Sequence, residues 1–61
     1  MGELTQIELQ NLRYLIEISN ILFQKLHVYS SNCVDPQIKQ MLTKAAQDAL
    51  NTKQKLITFL N

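Results

Sequence analysis

Glycine, proline, cysteine and histidine each occur once in this chain, tryptophan is absent, and neither sign of charge dominates. Each scarcity excludes something. With one glycine and one proline there is little to redirect the backbone, which favours long uninterrupted helices over a sheet and its turns. A lone Cys33 cannot close an internal disulfide, and one cysteine with one histidine cannot assemble a structural zinc site. Six basic against five acidic residues, a net charge of +1, leave no basic face for a nucleic acid. No apolar run reaches the 18 or so residues of a membrane span, because Arg13, Glu17, Asn20, Gln24 and Lys25 interrupt the richest stretch. The opening residues lack the basic-then-apolar order of a secretion signal. Met1-Gly2 is followed by Gln6 where myristoylation would want Ser or Thr. The expectation is a soluble, intracellular helical module with neither nucleic acid nor membrane as partner.

What is present is apolar residues, 46% of the 61. A chain of this length holds one domain, and below roughly 70 to 80 residues a single core seldom supplies more than about 3 to 5 kcal/mol. With disulfide and zinc excluded, association with other subunits is the expected reinforcement.

The pattern breaks once, at Ser30-Ser31-Asn32-Cys33-Val34-Asp35-Pro36. Asp35 followed by Pro36 reads as an N-cap and first helical residue. At the other end, Thr5 and Glu8 have capping-box spacing, with Leu4 placed for a hydrophobic staple. The spacing predicts a helix over about 5–30, a turn over 31–35 and a second helix over about 36–60. Two helices of similar length joined by a short turn make an antiparallel hairpin, one domain spanning 1–61.

The second helix carries one apolar stripe, running from Ile38, Met41 and Leu42 through Ala45, Ala46, Ala49 and Leu50 to Leu56, Ile57, Phe59 and Leu60. The first helix carries two. Leu9, Leu12, Ile16, Phe23 and Leu26 form one seam, while Ile7, Tyr14, Ile18, Ile21 and Val28 form another on a different side. A single partner helix covers one face, so the second seam is expected to bury itself against another copy, most economically as a dimeric four-helix bundle. Which seam faces the chain's own second helix is open at this point. Ala45, Ala46 and Ala49 are expected at close contacts, near the level of Ile16, Ile18 and Phe23.

Reactive chemistry is sparse. Glu8 and Asp35 are absorbed as caps, Glu3 falls at the chain end, and Glu17 and Asp48 lie on polar arcs. His27 is expected in the last turn of the first helix, where it complements the helix dipole. Cys33 sits in the turn, either as a packed thiol or as one exposed for intermolecular cross-linking. Ser30 and Ser31 have no identifiable general base, and no glycine-rich loop cradles a phosphate. Tyr14 and Tyr29 suit an interface rim. No catalytic, cofactor-binding or metal-ligating residues are assigned, and no cofactor is expected.

The stretch Tyr29-Ser30-Ser31-Asn32-Cys33-Val34-Asp35-Pro36-Gln37-Ile38-Lys39-Gln40-Met41, with Ala45-Ala46-Gln47 and the ending Leu56-Ile57-Thr58-Phe59-Leu60-Asn61, resembles the short spore coat F-like proteins of endospore-forming bacteria. The opening Leu4-Thr5-Gln6-Ile7-Glu8-Leu9 and the spacing from Lys25 to Tyr29 are similar to that family's first helix. The resemblance implies a ferritin-like helical architecture and a role in spores or sporulating cells, made in the cytoplasm and assembled into the coat with itself or other coat proteins. Members of the family often carry histidines at positions that align with Ala49 and Thr52 here, so metal ligation does not carry over; fold likeness alone does not license iron oxidation. The reading is a non-enzymatic structural protein. Its alternatives are a ferritin-like metal-binding protein or oxidase subunit, and a helical adaptor that receives an unrelated partner's helix on the second seam.

Overall fold

The computed structural model describes residues 4–60, so Met1, Gly2, Glu3 and Asn61 fall outside it. It is an all-helical hairpin: α1 spans Gln6–Asn32, α2 spans Pro36–Ile57, and a 3₁₀ turn follows at Thr58–Leu60. Its extents of 46 × 16 × 12 Å are those of two helices side by side.

The first boundary follows from its cap. The Thr5 hydroxyl accepts from the Glu8 amide at 3.1 Å, and the Glu8 carboxylate accepts from the Thr5 amide at 3.1 Å, closing the capping box. The bond from the Thr5 backbone, then that with its hydroxyl, holds the Glu8 carboxyl below its ordinary value of 4.5.

The far end of α1 runs two residues beyond the expected boundary. Ser31 donates to the His27 carbonyl at 3.0 Å, the back-bonding by which a serine stays helical. Ser30 turns inward to α2, and the Cys33 amide closes the helix on the Ser30 carbonyl at 3.3 Å. His27 therefore lies more than a turn inside α1 and not in its last turn, which corrects the dipole-capping role expected of it. Its ring stacks on Phe23, centroids 6.0 Å apart.

The connection is three residues, Cys33 to Asp35, and contains no positive φ. Pro36 disfavours the helical region for Asp35, which is extended at φ −75°, ψ 118° and caps α2 by accepting from the Gln37 and Ile38 amides at 2.9 and 3.3 Å. At its C-terminus α2 stops at Ile57, short of the expected Leu60. The Thr58 hydroxyl donates to the Lys55 carbonyl at 2.6 Å, its amide reaches the Lys55 and Leu56 carbonyls, and the chain tightens into a 3₁₀ turn. Phe59 and Leu60 leave the apolar stripe and are exposed.

Leu9, Leu12, Ile16, Ser19, Phe23, Leu26 and Ser30 are the inward positions of α1, separated by alternating steps of three and four. On α2 the corresponding steps pass through Leu42, Ala46, Ala49, Lys53 and Leu56. That spacing is the seam of a left-handed helix pair. Ala46 and Ala49 are 5% and 7% exposed and Ser30 7%, while no large side chain among the described residues is fully buried. Two small residues at the centre let the helices approach closely, and the larger side chains close over the seam from its edges.

Candidate interaction surface

Polar bonds set the hairpin's register. Ser30 and Thr43 hydroxyls lie 2.6 Å apart across the helices, and Thr43 donates to the Lys39 carbonyl at 2.8 Å. The Ser30 hydroxyl also lies 3.4 Å from the Lys39 carbonyl, so both hydroxyls converge on that oxygen and either can donate to the other. Nearer the open end, Lys53 Nζ donates to the Asn20 side-chain oxygen at 3.0 Å. Ala46 and Ala49 fall between these two ties on α2, so they pack against the Asn20–Ser30 portion of α1. Ile16 lies beyond the Asn20 tie and is level with the end of α2. The expected juxtaposition of the alanines with Ile16 and Ile18 is therefore displaced by more than one turn, while that with Phe23 is kept: Phe23 and Ala46 line one groove. The error came from aligning apolar positions alone, when cross-helix hydrogen bonds decide the register.

That groove distinguishes the hairpin's two flanks. His27 and Ser31 of α1 border it with Lys39, Thr43 and Gln47 of α2, giving a polar flank. In an antiparallel pair, turning the same way off the seam on either helix leads to the same flank. Turning the opposite way brings Leu15, Leu22 and Tyr29 of α1 and Ile38 and Met41 of α2 to the other flank, all exposed. Leu15 and Leu22 were not among the seam residues read from the sequence. Their signal was the seven-residue spacing Leu15, Leu22, Tyr29, parallel to Ile7, Tyr14, Ile21, Val28 one position earlier.

The choice between the two α1 seams is decided by burial. Leu9, Leu12, Ile16, Phe23 and Leu26 are half-buried, with Phe23 and Leu26 facing α2, Ile16 level with its end and Leu9 and Leu12 beyond it; Ile7, Tyr14, Ile18, Ile21 and Val28 are all exposed, with Ile18 at 59%. On a wheel of about 100° per residue the second set lies nearly opposite the first. Of the three alanines assigned to close contacts, Ala46 and Ala49 are buried and Ala45 is half-buried at the edge nearer the apolar flank. Cys33 is half-buried at the C-cap, its thiol directed to the Asp35 carbonyl at 3.6 Å. Tyr14 accepts from the Gln10 side-chain amide at 3.1 Å, and both tyrosines are exposed.

No family model, curated protein or solved structure matches this chain. Its surface must be read from its own residues. Among the described residues no three His, Cys, Asp or Glu side chains come together as metal donors. Ala49 is buried, and the Thr52 hydroxyl is engaged with the Asp48 carbonyl at 2.9 Å. The residues present do not fit the donor set that a ferritin-like metal centre requires. No helix among the described residues is long and apolar enough to cross a membrane.

Asn20, Lys53, Ser19 and Ser30 are the residues of the seam that reading by hydrophobicity missed. Asn20, one of the polar residues that interrupt the apolar stretch of α1, is half-buried and takes the Lys53 bond. Continuing the alternating three-and-four spacing of the first seam through Ser19 and Ser30 would have found those two.

Proposed function

We propose that this chain is a non-enzymatic structural module whose function is self-association, two hairpins packing into a four-helix assembly through the face of α1 turned away from α2. The observation that carries the reading is the state of α1: one seam is covered by α2, while Ile7, Tyr14, Leu15, Ile18, Ile21, Leu22, Val28 and Tyr29 all remain exposed. Eight large apolar side chains left exposed on one helix of a small domain support an interaction site. A standard interface removes about 800 Å² from each partner, roughly a sixth of this chain's 5098 Å². The hairpin alone encloses two buried alanines and a buried serine, little to hold 61 residues together, so assembly supplies stability as well as function.

The likeness of the Tyr29–Met41 stretch to short spore coat F-like proteins supports placing this module in the spore coat, built in the cytoplasm of the sporulating cell and joined there to itself or to other coat proteins. The alanine and threonine at positions 49 and 52 support the structural role over metal storage or oxidation.

Sedimentation velocity across a hundredfold concentration range, with metal content measured on the same sample, tests the reading. A metal-free dimer or higher oligomer is expected. A concentration-independent folded monomer would turn the exposed face into an adaptor surface for another protein, and stoichiometric iron or manganese would favour the metal-binding reading.

A further inference from the structure

The outer face of α1 has a symmetry that its partner must match. Stepping outward from Ile18 by four, three and four residues reaches Tyr14, Asn11 and Ile7 in one direction and Leu22, Lys25 and Tyr29 in the other. Both arms read apolar, polar, apolar, and every one of these side chains is exposed. The flanking Leu15 and Ile21 are also equidistant from Ile18. A surface whose polarity pattern inverts onto itself about one residue suits a twofold, isologous contact, in which like positions meet like across the axis.

We infer that the occupant of this face is α1 of a second copy, lying antiparallel with the twofold axis at Ile18. The inference rests on the self-association proposed above and adds its geometry. In this arrangement Ile18 meets Ile18, Tyr14 meets Leu22, Ile7 meets Tyr29, and Asn11 meets Lys25 at two equivalent places. Asn11 offers a side-chain carbonyl to the Lys25 ammonium, so the two polar positions satisfy each other inside the seam. The parallel alternative sets Lys25 against Lys25 and Asn11 against Asn11, a repulsion that the antiparallel pairing avoids. The four-three-four spacing repeats every 11 residues, close to the natural period of a straight helix, so two such faces stay in register over the length of α1 with little supercoiling.

The test uses single cysteines in a Cys33→Ser background, oxidised by air with copper phenanthroline, alongside sedimentation of the unaltered protein. Ile18→Cys should form a disulfide-linked dimer, because only a residue on the axis meets its own copy. Ile7→Cys should form none by itself and should cross-link when mixed with Tyr29→Cys. Charge substitutions at an exposed site give a readout that does not depend on cysteine: Asn11→Glu should tighten the dimer about fivefold through two new pairs with Lys25, and Asn11→Lys should weaken it about as much. Efficient self-cross-linking of both Ile18→Cys and Ile7→Cys, with Asn11→Glu weakening the dimer, overturns the inference in favour of a parallel pair. If the unaltered protein is a dimer and Ile18→Cys does not cross-link, this geometry is wrong and self-association stands. If the unaltered protein is a monomer throughout, both fall together.

Discussion

Asn20 and Lys53, 33 residues apart in the chain, are joined by a 3.0 Å hydrogen bond from the Lys53 ammonium to the Asn20 side-chain oxygen. Both side chains are half-buried, and with the Ser30–Thr43 bond they fix how far α2 slides along α1. Apolar seams tolerate a slide of a full repeat; a pair of directional bonds does not.

Asn20→Ala with Lys53→Ala therefore forms a double-mutant cycle whose coupling should be about 0.5 to 1 kcal/mol, the scale of a partly solvated side-chain bond. Denaturant unfolding of the four proteins measures it at one protein concentration. Additivity of the two single substitutions would mean that the bond does not set the register.

Ala46→Leu should destabilise by about 1 to 3 kcal/mol, since three added heavy atoms have no room at a side chain only 5% exposed between the helices. Ala45→Leu, at the half-buried edge, should cost clearly less. Thermal unfolding of the pair distinguishes them, and equal losses would show that the close approach does not lie at Ala46.

Ile18→Glu puts a charge at the middle of the exposed seam. If that seam is covered by a second copy, the variant should become monomeric and lose most of its helical circular dichroism at micromolar concentration. Gln47→Glu, on the polar flank, should change neither. Retention of an equally stable oligomer by Ile18→Glu would move the interface elsewhere.

The Glu8 carboxyl is held below 4.5 by its bonds with Thr5, so its contribution to stability is fully present above that value and is lost as pH falls through the lower, folded-state value. Below pH 4.5 the first turn of α1 should fray before the rest of the hairpin. Amide exchange at Thr5 and Glu8 reports it, and Glu8→Gln should remove the acid dependence of that turn.

How much of this was legible in the sequence depended on whether the signal was local. The Thr5–Glu8 box and the Asp35–Pro36 start are each written within four residues, and each is where it was read. The ends of the helices were less legible: α1 runs on through Ser31, whose hydroxyl bonds to the His27 carbonyl, and α2 tightens at Thr58, whose hydroxyl bonds to the Lys55 carbonyl. Two seams on the first helix could be counted from periodicity, but the count does not say which one the chain's own second helix takes. The register was the least legible part, since it rests on Ser30, Thr43, Asn20 and Lys53, residues that a hydrophobic pattern assigns to water.

The hairpin is one helix layer deep, 12 Å along its shortest axis. In a single layer α2 shields α1 from one side only, so an uncovered copy leaves the other side of that helix open to solvent and proteases. On the self-association proposed above, an uncovered copy lasts only as long as it takes to find a neighbour, so the rate of synthesis would separate accumulation from turnover.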